Sequence, residues 1–476
     1  MKEPAPARSR CGRFNRREDR TIMKSDTKQY SARILTASIL LTGALITLAA
    51  PHAVAAEDEA VGMIVELIAG SDKDMQTMAI DQIRKQSLGK AATLRFAGLL
   101  EKLAPDVQAK LISALGDRGD AAARPAILKM QDSRNEAVRI AAADALSALA
   151  SPDDIPVLAK QAAAGSDAEK LAARNTLRTL KGEKMDAAMI AALKDADAKT
   201  KIELIAALTD RNVKASLPTV IKSVADPDKA LRITVLEALG VMADETYAQP
   251  IVTRLKAAKD RAEIRKAALA LMFTCRRGGA KCADAVIAGF KGSDATVRIL
   301  LMRALTEAGG PKSLAQVVAG MKDEDKSVRN AALRTLTGWP DPAAAPHLKK
   351  LAGDVENLRE HILAIRGLIR LGSPAKDRPG DLTLLSDTLK LASRVDEKRL
   401  VLSAFGTIPT KQSLAAAASF LGNAELAENA AAAVVMIAEK ITDSDKDELR
   451  AAVREVIKVV KSEKIKARAE KVLAGL

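Results

Sequence analysis

A cation recurs once in each of seven segments of the sequence, and in most of them it follows a turn rich in acidic residues. These cations are Arg139, Lys170, Lys201, Arg232, Arg265, Arg298 and Arg329. One cation per segment at a fixed place could grip an anionic polymer through salt-sensitive contacts. Each could instead pair with a carboxylate of its own or the next segment, as Arg232 could with Asp226 or Asp228. We favour this second interpretation, in which the cation column is structural.

Cys275 and Cys282 are the only cysteines after residue 56, and the six residues RRGGAK separate them. This spacing fits neither a zinc site nor a redox C-x-x-C motif. In an oxidising compartment the pair could close a small ring, which would stabilise the fold by roughly 2–3 kcal/mol. The alternative is two ordinary buried thiols. We favour the disulfide.

The sequence predicts no catalytic, cofactor or metal site, and therefore predicts that the protein is not an enzyme. His347 and His361 are the only histidines after residue 56, and neither has a cysteine or a second histidine at ligand spacing. We interpret His361, which follows Arg359 and Glu360, as a surface or turn residue. The lone tryptophan, Trp339, could anchor a partner, but packing beneath the next loop is the favoured interpretation.

Leucine recurs at a regular interval along the chain, and we call this series the leucine stride. Leu115, Leu146, Leu177, Leu208 and Leu239 are spaced 31 residues apart, and the stride continues at Met272, Leu305, Leu336 and Leu368 with gaps of 31 to 33. A constant period of this size is typical of a solenoid, because a small unit that cannot bury its apolar face alone must stack on its neighbours.

Each repeating unit reads as two helices joined by a short acidic turn, as in residues 217–240. Asp226 and Asp228 stand where the second helix must begin, and their side-chain oxygens are suited to cap it. Gly240 follows the last apolar residue and is expected to end that helix. We count about 13 such helix pairs, which predicts an all-α fold, an α-solenoid.

The same order of an acidic turn, a Val-Arg pair and an Ala-rich helix ending in Leu recurs at 132–149, 293–305 and 323–336. Over residues 60–476 the chain resembles the HEAT-repeat family, in particular its short bacterial form named after phycobilisome lyases. The resemblance implies a HEAT-like superhelix, and it implies that the cation column belongs to the internal Asp–Arg ladder of that family. It implies nothing specific about function.

The last third carries a second resemblance. Residues 361–372 and 391–409 are similar to HEAT modules of exported proteins from planctomycete-type bacteria. Such modules often accompany a sugar-hydrolase-like or haem-binding domain, but this sequence has neither a C-x-x-C-H motif nor a β-rich segment. The similarity therefore implies a cellular setting and no chemistry.

The N-terminal region predicts export. Residues 34–50 are apolar and uncharged, cations precede them, and a small-residue run ends at Ala55 and Ala56. We predict a signal peptide at 23–56 that is cleaved after one of these alanines, with a retained membrane anchor as the alternative. Residues 1–22 read as an overextended start or a disordered basic tail. The predicted location is the periplasm or cell envelope, with no membrane span left after cleavage.

The remaining chain is predicted to form one repeat array with a single interruption. Residues 57–371 form the solenoid, 372–381 form a longer Pro- and Gly-rich loop, and 382–476 continue the array to a C-terminal cap. The loop could carry a binding role, but an insertion between stacked helices costs little free energy and commonly has no function. We favour the interpretation without a binding role.

Composition and charge separate the candidate functions. Removing residues 1–56, with ten Lys/Arg and four Asp/Glu, lowers the net charge from +15 to +9. This mild excess permits a binder of an anionic polymer or surface through a basic concave face, which is the alternative function. Aromatic residues make up only 2% of the chain, which argues against nucleic acid as the partner because bases need stacking platforms. The favoured function is a non-enzymatic scaffold that binds another protein.

Overall fold

The computed structural model of the protein describes residues 50–85, 89–442 and 446–476. In these residues the regular structure is helical, and the one β feature is an isolated bridge between Ala375 and Arg378. The predicted tail, 1–22, lies outside the described residues. So does the predicted signal segment, 23–56, except for residues 50–56 at the start of the first helix. Among the helices described, none has both the length and the apolar character needed to cross a bilayer.

The chain divides into two compact units. The first comprises the described residues up to Ser151 together with Ser166–Leu180. Its helices are α1 (Ala50–Ala69), α2 (Lys73–Lys85), α3 (Lys90–Ala97), α4 (Pro105–Arg118), α5 (Arg124–Lys129), α6 (Glu136–Leu149) and α8 (Asp167–Thr179). Leu115 and Leu146 are fully buried and Leu177 almost so, which places the leucine stride in the core of this unit.

The second unit comprises Pro152–Gly165 and Lys181–Leu476. Its helices are α7 (Ile155–Ala164), α9 (Glu183–Ala192), α10 (Ala198–Asp210), α11 (Leu217–Val220), α12 (Lys229–Met242), α13 (Ala248–Ala257), α14 (Arg261–Gly278), α15 (Ala283–Ala288), α16 (Ala295–Ala308), α17 (Gly310–Gly320), α18 (Lys326–Thr337), α19 (Ala345–Gly353), α20 (Leu358–Gly372), α21 (Leu382–Leu391), α22 (Val395–Phe405), α23 (Lys411–Ala418), α24 (Ala427–Ala438), α25 (Lys446–Val459) and α26 (Glu463–Gly475). Consecutive even-numbered helices from α10 to α26 pack on each other.

We call the even-numbered helices second helices, and most of them begin in the same way. A side-chain oxygen at the N-cap accepts a hydrogen bond from the backbone N–H three residues later, which satisfies a donor that the helix leaves free. Such caps are Asn135, Asp197, Asp228, Asp294 and Asp325. At Asp228 the distance to Leu231 N is 2.9 Å, and the capping predicted for this acidic turn is confirmed.

The N-caps also fix the register of the repeats and correct two expectations. Asp260 caps α14, so the residue equivalent to Leu239 is Leu271, which is fully buried, and not Met272. The expected helix end at Gly240 is also wrong, because α12 continues to Met242. Gly240 instead lies where α12 approaches α14, and a Cβ added there would be 3.4 Å from Ala270 Cα.

The Pro- and Gly-rich segment joins α20 to α21. Ala375 N donates to Arg378 O at 2.9 Å, which closes a tight turn. The Arg378 guanidinium donates to Pro340 O and Arg370 O, both at 3.3 Å. The segment is therefore fastened to the repeat before it. Trp339, in the preceding turn, is only 1% exposed, as the packing interpretation predicts.

Candidate binding surface

Six of the seven cations in the predicted column occupy the fourth position after the N-cap of a second helix. Four of these six are arginines. Each donates from its guanidinium group to a carbonyl oxygen of the turn that precedes its own helix. The pairs are Arg139 with Ser133 O at 2.6 Å, Arg232 with Asp226 O at 2.7 Å, Arg298 with Ser293 O at 2.9 Å and Arg329 with Asp323 O at 2.7 Å. The cation thus holds the acidic turn against the first turn of the helix.

Three of these arginines also reach the next repeat. Arg232 donates through two nitrogens to the carboxylate of Glu263, both at 2.9 Å, and Arg254 adds a second ion pair to that carboxylate. Arg139 binds Glu169 in the same way, whereas Arg298 reaches Asp323 at 3.0 Å. Because Glu263 is 1% exposed, its pairing occurs inside the protein. The hydrogen bond from Arg232 holds the pKa of the Glu263 carboxyl below its usual range, against the opposing effect of burial.

His361 occupies the same fourth position after the N-cap Asn357, and the expectation that it lies in a turn or on the surface is wrong. The side chain is fully buried. Nδ1 lies 2.7 Å from Ala352 O, and Nε2 lies 3.0 Å from Glu397 Oε2. A carbonyl oxygen accepts only, so Nδ1 carries a proton. Ser393 Oγ also lies 3.1 Å from Nε2, and Glu397 Oε2 accepts from the backbone N–H groups of Ser393 and Arg394 at 3.2 and 3.1 Å.

From α4 to α22, the opposite side of the second helices faces outward. On these ten helices the ninth residue after the N-cap marks this surface, which we call the second-helix face. In the first unit these residues are Ser113, Asp144 and Asn175, and in the second unit they are Ala206, Glu237, Leu269, Arg303, Arg334, Arg366 and Ser403. All are exposed except Ala206, which is half-buried. The face is thus mixed in charge and polarity, with three consecutive arginines near the middle of the second unit.

The repeat architecture matches a known family. A family model of HEAT repeats matches residues 92–178, 187–272 and 283–369, which together make up more than half of the chain. The chain belongs to the HEAT-repeat family. Its fold is the all-α solenoid that the leucine stride predicts.

The chain also has some similarity to solved structures of a karyopherin. The karyopherin Kap121p bound to the SUMO protease Ulp1p is 15% identical in sequence, with a TM-score of 0.46, and the match covers 94% of this chain and 55% of that one. Kap121p alone is 13% identical with a TM-score of 0.47, covering 94% of this chain and 57% of that one. This chain spans little more than half the length of either. A comparison with curated protein sequences gave no match.

Three cations of the predicted column make no contact of the kind seen at Arg232. Among the described residues of the HEAT array, Lys170 and Lys201 form no hydrogen bond or ion pair through their side chains. Arg265 does not belong to the column, because it is the fifth residue after Asp260 and Ile264 occupies the equivalent position. The N-caps Asp228 and Asp260 are 32 residues apart, whereas Arg232 and Arg265 are 33 apart, so Arg265 falls one position past the column and is exposed.

Cys275 and Cys282 lie at the end of α14 and in the turn that follows, and both are fully buried free thiols. The predicted disulfide is therefore not formed in this structure, although the two side chains are close enough to hydrogen bond. That hydrogen bond, with burial, raises the pKa of the Cys275 thiol above its usual range. A bond between them in an oxidising compartment stays a prediction.

No group of three or more metal-binding side chains occurs in the part of the HEAT array that the structure describes. The acidic residues of the turns are engaged as caps and ion-pair partners, as Asp228 and Asp323 are. The second-helix face from α4 to α22 is a surface that the described helices leave exposed.

Proposed function

We propose that this HEAT-repeat protein is an exported, non-enzymatic scaffold that binds another protein in the cell envelope through its second-helix face. The single observation that carries the proposal is the mixed character of that face. A binder of a long uniform polyanion would need a continuous row of cations, whereas Glu237, Leu269 and Ser403 interrupt any such row.

The internal use of the repeat cations supports the same proposal. Arg139, Arg232 and Arg298 are satisfied by turns and carboxylates of their own array. They are not free to grip an external anion, so the basic composition overstates the charge available to a polymer.

The proposed location rests on the sequence. The apolar run at 34–50 and the small residues before Glu57 support export and cleavage, and the similarity of the last third to modules of exported bacterial proteins supports the same setting. Within an envelope compartment, a stacked array offers an extended surface on which a partner is recognised through several modest contacts.

Crosslinking in the native host tests this function. The full chain, carrying a C-terminal affinity tag, is crosslinked in intact cells, recovered from the envelope fraction and analysed by mass spectrometry. We expect a mature N-terminus after Ala55 or Ala56 and one specific protein enriched over an unrelated exported control. Recovery of an unprocessed chain from the cytoplasm, or no protein enriched above that control, contradicts the proposal.

Heparin chromatography addresses the alternative of an anionic polymer. We expect elution at low ionic strength, because most repeat arginines are paired internally. Retention that is lost only at high salt would favour the polymer and count against a protein partner.

A further inference from the structure

Arg303, Arg334 and Arg366, which we call the arginine row, stand at the same place on three consecutive second helices. Each is the ninth residue after its N-cap, on α16, α18 and α20, and each side chain is exposed. Helix α18 packs against both α16 and α20. The three guanidinium groups therefore follow one another across neighbouring helices.

A side chain at the sixth position after the N-cap of the following second helix could neutralise a charge at the ninth position, and one repeat has such a pair. Glu237 is the ninth residue after the N-cap of α12, and it forms an ion pair with Lys266, the sixth residue after the N-cap of α14. The second helices that follow those of Arg303, Arg334 and Arg366 have, at this sixth position, Ala331, Leu363 and Leu400 respectively. The array thus supplies an apolar side chain where an anion would be needed.

Other nearby groups do not satisfy the row either. Glu307 is four residues after Arg303, but Arg276 holds its carboxylate through two hydrogen bonds of 2.8 and 3.0 Å. Asn330 accepts from Arg359 at 2.7 Å. Within residues 50–85, 89–442 and 446–476, the guanidinium groups of the arginine row form no hydrogen bond or ion pair. Most other arginines of the second helices form hydrogen bonds or ion pairs. The three unpaired guanidinium groups at the ninth position therefore distinguish α16, α18 and α20 from the other second helices.

We propose that the arginine row docks an extended acidic segment of the partner protein, with one carboxylate facing each arginine. This inference rests on the proposed scaffold function and names the chemistry of the partner. Packed helices lie about 8–10 Å apart, and a polyproline II segment repeats the same face every three residues, or about 9 Å. A glutamate at every third residue would therefore match the spacing of the row.

The surroundings of the row favour a peptide over a phosphate polymer. Leu363 and Leu400 lie beside the arginines and can contact apolar side chains between the carboxylates, which a phosphodiester chain does not offer. The row also ends after three arginines, at Leu269 on one side and Ser403 on the other. Phe273 is the only aromatic among the exposed large apolar residues described. The guanidinium carbon of Arg276 lies over its ring, 5.7 Å from the ring centre.

A binding assay with a defined probe tests the inference on the purified full chain. The probe is a fluorescein-labelled peptide of four Glu-Leu-Pro repeats, compared with a Gln-Leu-Pro peptide and with an oligothymidylate of equal charge. The test variant is R303E/R334E/R366E. The matched control is R454E/K464E/K471E, which makes the same change in charge at exposed cations on α25 and α26.

We expect the acidic peptide to bind the wild-type chain and the control variant with affinities within about twofold, and to bind the row variant at least about tenfold more weakly. The glutamine peptide should not bind. Circular dichroism and urea unfolding should be the same for all three proteins, because the substituted side chains are exposed.

Four results would overturn the inference: no binding of the acidic peptide to the wild type, equal binding to the row variant, equal binding of the glutamine peptide, or tighter row-dependent binding of the oligothymidylate. Its failure is distinguishable from failure of the scaffold function. If crosslinking in the host recovers the same partner with the row variant as with the wild type, the scaffold stands and only the docking site falls.

Discussion

A buried carboxylate at the third position of a second helix recurs in Glu169, Glu263 and Glu397. Each meets a basic side chain at the fourth position of the preceding second helix: Arg139, Arg232 or His361. Removing the basic partner of such a pair leaves a buried carboxylate with less compensation, which costs more than the intact pair contributes. Glu263 then keeps its ion pair with Arg254, and Glu397 keeps two backbone N–H donors. These buried pairs bridge adjacent repeats, so each of their residues contributes to stability across a repeat boundary.

The substitution His361→Ala tests the pair at α20 and α22. It removes a fully buried ring and leaves Glu397 without its basic partner. We expect a loss of about 3–5 kcal/mol in the free energy of unfolding, measured by urea denaturation. His347→Ala is the control, because this second histidine is exposed and should change stability by less than about 0.5 kcal/mol. Equal effects of the two substitutions would contradict the assignment.

Glu263 predicts a specific dependence of stability on pH. Its pKa in the folded protein lies below the ordinary value of 4.5, chiefly because Arg232 donates to the carboxylate. A depressed folded pKa contributes stability that is present above the unfolded pKa and is lost as the pH falls through the folded one. The wild type should therefore lose more stability than Glu263→Gln as the pH is lowered from about 5 to 3. Parallel pH profiles from urea midpoints would show that the pair contributes nothing.

At the scale of elements, the twelfth residue after the N-cap sets how closely neighbouring second helices approach. It is Gly116 in α4 and Gly240 in α12. A Cβ added at Gly116 would be 2.9 Å from both Cα and Cβ of Ala145, whereas at Gly240 the nearest atom would be 3.4 Å away. The first distance is too short for carbon atoms and the second is an ordinary contact.

We expect opposite outcomes when these two glycines are replaced by alanine. Gly116→Ala should destabilise the protein by about 1–3 kcal/mol, because α4 and α6 must separate. Gly240→Ala should stabilise it by up to about 1 kcal/mol, because alanine favours the helix and meets no obstacle. Thermal unfolding followed at 222 nm provides the measurement. A shift of the same sign in both variants would mean that helix spacing at Gly116 is not limiting.

Arg277 of α14 completes the end of α12 from the neighbouring repeat. Its guanidinium donates to Ala243 O, Gly240 O and Leu239 O at 2.8, 2.9 and 3.1 Å. Leu239 O also accepts from Ala243 N at 2.9 Å, whereas the carbonyls of Gly240 and Ala243 lie past the last internal hydrogen bond of the helix. Arg277→Ala should lower the free energy of unfolding by about 1–3 kcal/mol.

Arg276 provides the adjacent control for this prediction. Its side chain is 61% exposed, pairs with Glu307 and lies over the ring of Phe273, so water screens the ion pair. Arg276→Ala should have a clearly smaller effect in the same urea titration. If Arg276→Ala were the more destabilising of the two, the carbonyl contacts of Arg277 would not be what holds α12 to α14.

The elements also show how far the sequence alone could lead. The leucine stride and the acidic caps are local signals, so they predicted the helices and the start of α12 at Asp228. The placement of Arg265 was wrong because the spacing between Arg232 and Arg265 is one residue longer than the spacing between the N-caps Asp228 and Asp260, and the position of a cap is fixed only by the structure. The burial of His361 depends on Glu397, 36 positions later, and a contact between repeats leaves no local pattern.

The arginine row lay within the sequence but outside the predicted site. Arg303, Arg334 and Arg366 share a position relative to their N-caps, so a count from each cap would have found the row. What the count could not supply is their state of pairing. That state depends on Leu363 and Leu400, which come from the following helices.

Across the whole molecule, a repeat array differs from a globular domain in how far the effect of a destabilising substitution extends. In the second unit, α20 packs on α18 and α22 but not on α12 or α14. Stability in such an array is close to a sum of repeat and nearest-neighbour terms, so a local defect opens its neighbours first.

Hydrogen exchange measured by mass spectrometry can test this behaviour with His361→Ala. We expect faster amide exchange in α20 and α22, a smaller increase in α18 and α24, and no change in α12 and α14, because no direct contact carries the defect that far. His347→Ala should leave every helix of the second unit unchanged. An equal increase in exchange from α12 to α24 would mean that the unit unfolds as one cooperative block, and the nearest-neighbour description would then be wrong for this protein.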